Sequence, residues 1–471
     1  MKCKALFAVF SVCWVYWLYL IFASQMSVKF DAADYEFIGS LIYEKGWIEF
    51  FKTGPHREPL YPLVIAISMK IADCLSISYY TVQKVIQVLI LFVTQLLALG
   101  LLRRLKIRES IQWIILLYIG FSPAIVNSTF SLFAEIITYP FVLLIVLLSV
   151  LSWRAVFCED LGRVAQLAVL TAVVFILATF GKGVFQYIFW AYLCLFGGLF
   201  SYSLIKRDSR LLKNSVIYVL LAFMIFSAPI DLFKSANQTY NGNYVLTNRF
   251  ADLLFGNAVK RTKALPPRMI LAHIASVPGA GVCRLFFTEE ECAYCEFQKA
   301  DYYRSTLLGE VKQGTPPGKI TSETISLAVE KAFARPVQYV LLMAVESLRM
   351  PFWESAHLGN VIYPIWLQGV YDLVFLKNTL RLFMSLATYV SLFYLLMFVM
   401  KNRRQLLDFK SVDSERVQIC FFILFLVFVY TALHSLFSIV TRYALPISFL
   451  YLLSIAFFIE SYCGKRKEVL C

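Results

Sequence analysis

Charge is scarce along this chain. Only 16% of its 471 residues are charged while 60% are hydrophobic, and the mean hydropathy is +0.70. A soluble domain with a solvated surface does not carry such values. Acids are the scarcer sign, with 30 Asp and Glu against 44 Lys and Arg and a net charge of +14. That excess does not point to nucleic acid, because the bases fall in short clusters between apolar runs, as topology determinants do. A cysteine framework is also lacking: Cys3, Cys13, Cys74, Cys158, Cys194 and Cys420 are scattered and read as small buried apolar residues. No small-residue cleavage site follows the first apolar run, so it reads as a retained helix rather than a removed signal peptide.

What the chain does have is a series of apolar runs. The first, residues 5–24, is long enough to cross a hydrocarbon core of about 30 Å. Lys2 and Lys4 before it make the amino terminus cytoplasmic. The next run, 60–74, is short, begins around Pro62 and contains Lys70. If it crossed, the cluster Arg103, Arg104, Lys106 and Arg108 would lie outside, so it reads as interfacial. The remaining spans are then 85–102, 111–126, 136–152, 164–180, 184–205, 215–230, 382–400, 417–440 and 443–459, and basic loops such as Arg154 with Arg163 fall inside each time. The expected fold is an all-α polytopic membrane protein of about ten transmembrane helices with both termini cytoplasmic. An outer loop at 31–80 carries interfacial helices, and a long outer section precedes the last three spans. The expected modules are 1–230, 231–375 and 376–471.

The long section contains Pro266-Pro267 and Pro316-Pro317-Gly318 and reads as a small external subdomain without a legible fold. Residues 337–344 run into Glu346, Arg349 and MPFWES, too interrupted for a span. Cys283, Cys292 and Cys295 stand near His273 and the run Glu289 to Glu291. The Cys-x-x-Cys spacing admits zinc, an exported loop admits a disulfide, and the cluster is also open to accident; no metal and no cofactor is expected.

The stretch FDAADYEFIGSLIYEKGWIEFFKTGPHREPLYP, residues 30–62, is polar and acidic directly after an uncharged span. Asp31, Asp34 and Glu36 crowd just past that span, and His56, Arg57 and Glu58 precede a Pro-x-Tyr-Pro run. A loop of about 35 residues is longer than an ordinary helix connection, which favours a functional reading over solvated flanks. Asp31 and Asp34, three apart, share one face of a short helix; helix capping is the bland alternative. Glu135 interrupts an otherwise uncharged run, and acids at a membrane edge are costly and tend to have partners. A wet loop charge is its competitor. Lys182, in Gly181-Lys182-Gly183, is a candidate for holding a phosphate, with glycines that let a headgroup approach, although lone interfacial bases also snorkel. Arg57 and Arg442 are the other basic candidates. Tyr35, Tyr61 and Tyr443 stack on a sugar or belong to the interfacial aromatic belt. His56 and His434 read as structural.

These residues carry a resemblance. Asp31-x-x-x-Tyr35 after the first helix, then Arg57-Glu58-Pro59-Leu60-Tyr61-Pro62, then Arg442-Tyr443-x-x-Pro446 resembles the GT-C glycosyltransferases. The similarity is to the dolichyl-phosphate-mannose protein mannosyltransferases and to the aminoarabinose transferase of lipid A. It implies a GT-C-like bundle, a polyprenyl-phosphate sugar donor, a lipid, glycan or protein acceptor, and a carboxylate of the first outer loop as base. It selects Asp31 as that base, with Asp34 next, supports an acidic role for Glu135 and a donor-phosphate role for Arg442, and leaves the acceptor open. The expected site is therefore catalytic Asp31, Asp34 and Glu135, phosphate-binding Arg57, Lys182 and Arg442, and substrate-binding Tyr35, Glu58, Tyr61 and Tyr443, on the outer or lumenal face among membrane lipids. Nearly charge-free spans disfavour a transporter, which buries ionisable groups near the midplane. A non-catalytic lipid-binding relative is the main alternative.

Overall fold

An apolar segment in lipid must satisfy its own backbone, and only helices do so within one segment. The computed structural model describes residues 2–54, 56–294, 319–355, 360–407, 413–437 and 439–469. It starts with α1 (Lys2–Ala23), followed by three helices near the Asp31 loop, α2 (Asp31–Lys45), α3 (Trp47–Thr53) and α4 (Leu60–Leu75). Then come α5 (Tyr79–Arg104), α6 (Glu109–Phe121), α7 (Pro123–Thr129), α8 (Glu135–Cys158), α9 (Leu161–Gly181), α10 (Val184–Lys206) and α11 (Ser209–Asn241). The polar section carries α12 (Arg249–Thr262), α13 (Pro267–Ala275), α14 (Ala280–Cys283) and α15 (Glu289–Tyr294), then α16 (Ile320–Ala334), α17 (Pro336–Ser347), a 3-10 turn (Met350–Ser355) and α18 (Ile365–Asp372). The chain closes with α19 (Val374–Lys401), α20 (Ser414–Phe437) and α21 (Leu445–Val469).

Among the described residues, nine helices are long and apolar enough to cross a membrane: α1, α5, α8 to α11 and α19 to α21. The pair α6 and α7 qualifies jointly but bends by 51°. The chain is thus an all-α, multi-pass membrane protein. α4 is 16 residues long and is not among the spans, as its proline and lysine imply. Helix starts follow local chemistry: the Asp160 carboxylate accepts from the Arg163 amide at 2.9 Å, and that of Asp208 from the Leu211 amide at 3.0 Å. Packing in lipid rests on close fit more than on the hydrophobic effect. Gly120 illustrates it, since a Cβ there would lie 2.3 Å from Cys13 Sγ, and its carbonyl accepts from Trp17 Nε1 at 2.9 Å.

Two expectations change. The span expected over 111–126 breaks at Ser122, because Pro123 has no amide to continue the helix, and the Ser122 hydroxyl caps the restart by accepting from Ile125. The module boundaries at 230 and 375 fall inside α11 and α19, since polar residues after Pro229 continue the helix to Asn241. The interrupted stretch 337–355 is not a span, as expected; it folds as α17 and the 3-10 turn, and both of its buried acids have hydrogen-bond donors. Glu346 meets Arg261 at 2.5 Å and Lys260 at 3.3 Å. Glu354 accepts from the Tyr118 and Ser122 hydroxyls, each at 2.9 Å, and from the Ala124 amide at 3.3 Å. Burial nonetheless pushes the Glu354 carboxyl up to about 7.

Charges separate to the two ends of the bundle. At the end opposite Asp31, Arg104 pairs with Glu415 at 2.5 Å, Lys106 with Asp413 at 3.3 Å and Arg108 with Glu460 at 3.1 Å. At the Asp31 end, two short strands, β1 (Gln25–Met26) and β2 (Val361–Ile362), pair antiparallel and tie the exit of α1 to the late polar section. There Cys283 and Cys292 form a disulfide, which resolves that part of the cysteine cluster. Cys295 and Pro316 to Gly318 lie outside the described residues.

Candidate active site

Asp31 owes its position to a turn. After α1 and β1 the chain reaches Phe30, whose φ of +52° and ψ of −125° are disfavoured for a residue with a side chain, and Asp31 opens α2 directly behind it. Such a conformation costs on the order of 1–3 kcal/mol. Asp31, Asp34 and Tyr35 then share one side of α2, and Arg57, folded back from the segment before α4, reaches all three. Its Nη2 donates to Asp31 Oδ1 at 2.7 Å and Asp34 Oδ2 at 2.6 Å, and its guanidinium lies 4.7 Å over the Tyr35 ring. Tyr35 meets Tyr61 edge-on at 5.1 Å, and the Tyr61 hydroxyl donates to Gln87 Oε1 at 2.9 Å.

Arg442 approaches Asp31 from the other side. Its Nη2 donates to Asp31 Oδ2 at 2.5 Å, and Arg249 Nη2 reaches Oδ1 at 3.5 Å. Burial alone would raise the Asp31 carboxyl, but Arg442 and Arg57 outweigh it and hold Asp31 below the usual carboxylate range. Glu135 joins the same network, with its Oε1 3.5 Å from both Lys182 Nζ and Arg442 Nε. Lys182 lies 4.8 Å over the Tyr443 ring, and Arg442 lies 4.7 Å over Phe133. Glu58 Oε1 accepts from the Gly183 amide at 2.8 Å. The glycines around Lys182 line the cavity among these groups and are also closely packed: a Cβ on Gly183 would lie 3.1 Å from Glu58 Oε1, and one on Gly181 3.2 Å from Ile137.

A cavity of about 250 Å³ opens among these groups. Of the sequence-derived residues, Asp31, Glu135, Lys182 and Arg442 line it, together with Tyr35, Glu58 and Tyr443. Three others do not. The Asp34 side chain is 63% exposed, that of Arg57 is 3% exposed beneath the two aspartates, and Tyr61 is fully buried. Arg57 is committed to holding Asp31 and Asp34 rather than facing the cavity. His56 is exposed away from it, whereas His434, expected to be structural, lines it, stacked 5.2 Å from Tyr443. Sequence reasoning missed Lys234 and Arg249, both on the wall. Lys234 lies beyond the expected end of its span, and Arg249 within the section whose fold was illegible.

No protein-family model matches the chain, and no curated protein does. What the site can do is therefore read from its chemistry. Three carboxylates, Asp31, Glu58 and Glu135, line the cavity together with four basic side chains, Lys182, Lys234, Arg249 and Arg442. Such a set holds an oxyanion and places a proton acceptor next to it. Among the described residues no group of three or more His, Cys, Asp or Glu side chains is arranged to hold a metal ion.

Proposed function

We propose that this chain is a membrane glycosyltransferase that moves a sugar from a polyprenyl-phosphate donor to an acceptor hydroxyl or phosphate on the outer or lumenal face. The observation that carries the reading is the meeting of Asp31, Glu135, Lys182 and Arg442, distant in sequence, around one cavity directly past α1. In such a transfer the bond between the anomeric carbon and the donor phosphate oxygen breaks, and the phosphate departs with the electron pair. Lys182 and Arg442 hold that negative charge. The acceptor oxygen bonds to the anomeric carbon and gives its proton to Asp31. A phosphate that draws Arg442 toward itself takes a cation away from Asp31, so donor binding raises the basicity of the group that needs it.

A second reading, a non-catalytic protein that binds a lipid phosphate, has one observation in its favour. Both Asp31 oxygens are engaged by guanidinium groups, as a purely structural acid would be. Incubating the purified protein with polyprenyl-phosphate sugars and following sugar release separates the two. Release and transfer support the enzyme, and intact folding with no release from any donor supports the binding protein.

A further inference from the structure

Away from the Asp31 cavity, the last three spans enclose a second hollow, a groove of about 300 Å³ between α19, α20 and α21. Tyr389, Leu392 and Leu396 of α19, Leu424 and Phe428 of α20, and Tyr451 of α21 line it. Leu396 and Phe428 are exposed in the middle of apolar spans, so the groove opens toward hydrocarbon rather than water. Its lip at the Asp31 end is the segment around Leu348 and Met350, where the Tyr389 hydroxyl donates to the Leu348 carbonyl and that of Ser385 to the Pro351 carbonyl at 3.1 Å.

Above the lip stands a cation without a partner. Positions 381, 385, 389, 392 and 396 follow the three- and four-residue spacing of one helix face, with Arg381 at its head. About 20 residues, or about 30 Å of helix, separate Arg381 from Lys401 at the opposite end, which is the thickness of a hydrocarbon core and puts Arg381 at headgroup level. The guanidinium is seated on Gly279, where a Cβ would lie 2.9 Å from Nη2 and 3.0 Å from Nη1, and where a φ of +132° favours glycine. The same turn reaches the lip, because Ser276 accepts from Arg349, which stands between Leu348 and Met350. The Arg381 side chain makes no hydrogen bond and no ion pair among the described residues, and its Nε is buried from solvent as well. A snorkelling arginine reaches water instead.

A fixed guanidinium without a counter-charge is costly, and a phosphodiester relieves that cost through paired N–H donors. Tyr389 lies about 12 Å below Arg381, inside the half of the core that belongs to the same leaflet, so one lipid reaches both. We propose that Arg381 and the groove form one site for an anionic phospholipid of the leaflet at the Asp31 end, with its phosphate on Arg381 and one acyl chain between α19 and α20. The lipid then ties the 3-10 turn to the last spans. The site does not depend on the glycosyl-transfer reading.

Native mass spectrometry of the delipidated, detergent-solubilised full chain, titrated with phosphatidylglycerol or phosphatidylcholine, tests it. Wild type takes up one phosphatidylglycerol about tenfold or more tightly than phosphatidylcholine, since charge-assisted contacts are strong, and Arg381→Ala removes that preference. Arg381→Lys keeps the charge without the fork and falls between. Leu392→Trp, which fills the groove, weakens both lipids, with thermal unfolding as the control for folding. Equal affinity of wild type for the two lipids, or unchanged phosphatidylglycerol binding in folded Arg381→Ala or Leu392→Trp, overturns the site. Displacement of phosphatidylglycerol by equimolar farnesyl phosphate gives the groove to a prenyl chain and overturns the phospholipid assignment.

Discussion

Replacing Arg442 by Gln removes the cation that bridges Asp31 and Glu135. In the free protein its Nη2 holds Asp31 at 2.5 Å and its Nε lies 3.5 Å from Glu135. On the proposed mechanism, that guanidinium turns to the donor phosphate. A charge-assisted contact of this kind is worth roughly 1.5–3 kcal/mol, or about 10- to 150-fold in the donor dissociation constant. The loss falls toward the upper end, because Glu135 is left with Lys182 alone and Asp31 with Arg57 and the more distant Arg249, so two less screened carboxylates repel the incoming phosphate. Arg442→Lys keeps the charge but not the fork and falls between. Farnesyl phosphate binding to the detergent-solubilised proteins measures this, with thermal unfolding as the control for folding. Affinity within twofold of wild type in a folded Arg442→Gln protein refutes the phosphate role.

Two further outcomes follow from other parts of the fold. Glu354 has a carboxyl raised from 4.5 to about 7 in the folded state, so its contribution to stability is full below pH 4.5 and is lost as pH rises through about 7. That amounts to about 3 kcal/mol. Thermal unfolding against pH shows it as a decline in wild type between pH 5 and 7.5 that Glu354→Gln lacks, and parallel curves contradict the assignment. The basic cluster Arg103, Arg104, Lys106 and Arg108, at the end opposite Asp31, predicts that a cysteine at position 104 is labelled only from the cytoplasmic side and one at position 34 only from the other. External labelling at 104 reverses the orientation.

The spans were legible because hydropathy and basic clusters act locally, residue by residue, along the chain. Pro62 and Lys70 made α4 a doubtful span and the basic cluster at Arg103 to Arg108 kept it out of the membrane count, and Glu135 stood out as a lone acid in an apolar run. What was not legible depends on distant partners. The break at Ser122 is held partly by Glu354, some 230 residues later in the chain. Arg57 looked like a phosphate ligand, but the turn before α4 folds it under α2, where two aspartates take its charge. Lys234 was hidden by a helix that outlasts its apolar stretch, since the polar residues after Pro229 carry no stop signal before Gly242. Among the cysteines, spacing alone left three explanations open, and only the packing of α14 against α15 brings Cys283 to Cys292.

The most direct test of the account is transfer by Asp31→Asn, measured beside donor binding and beside Asp34→Asn. Asn keeps the size and hydrogen-bonding capacity of Asp31 but cannot take the acceptor proton, so transfer falls by about 10²-fold or more. Donor binding does not weaken, because Arg442 is released toward the phosphate. Asp34, with a side chain 63% exposed and off the cavity, tolerates the same change with far less effect. Near-normal transfer by a folded Asp31→Asn protein contradicts the account.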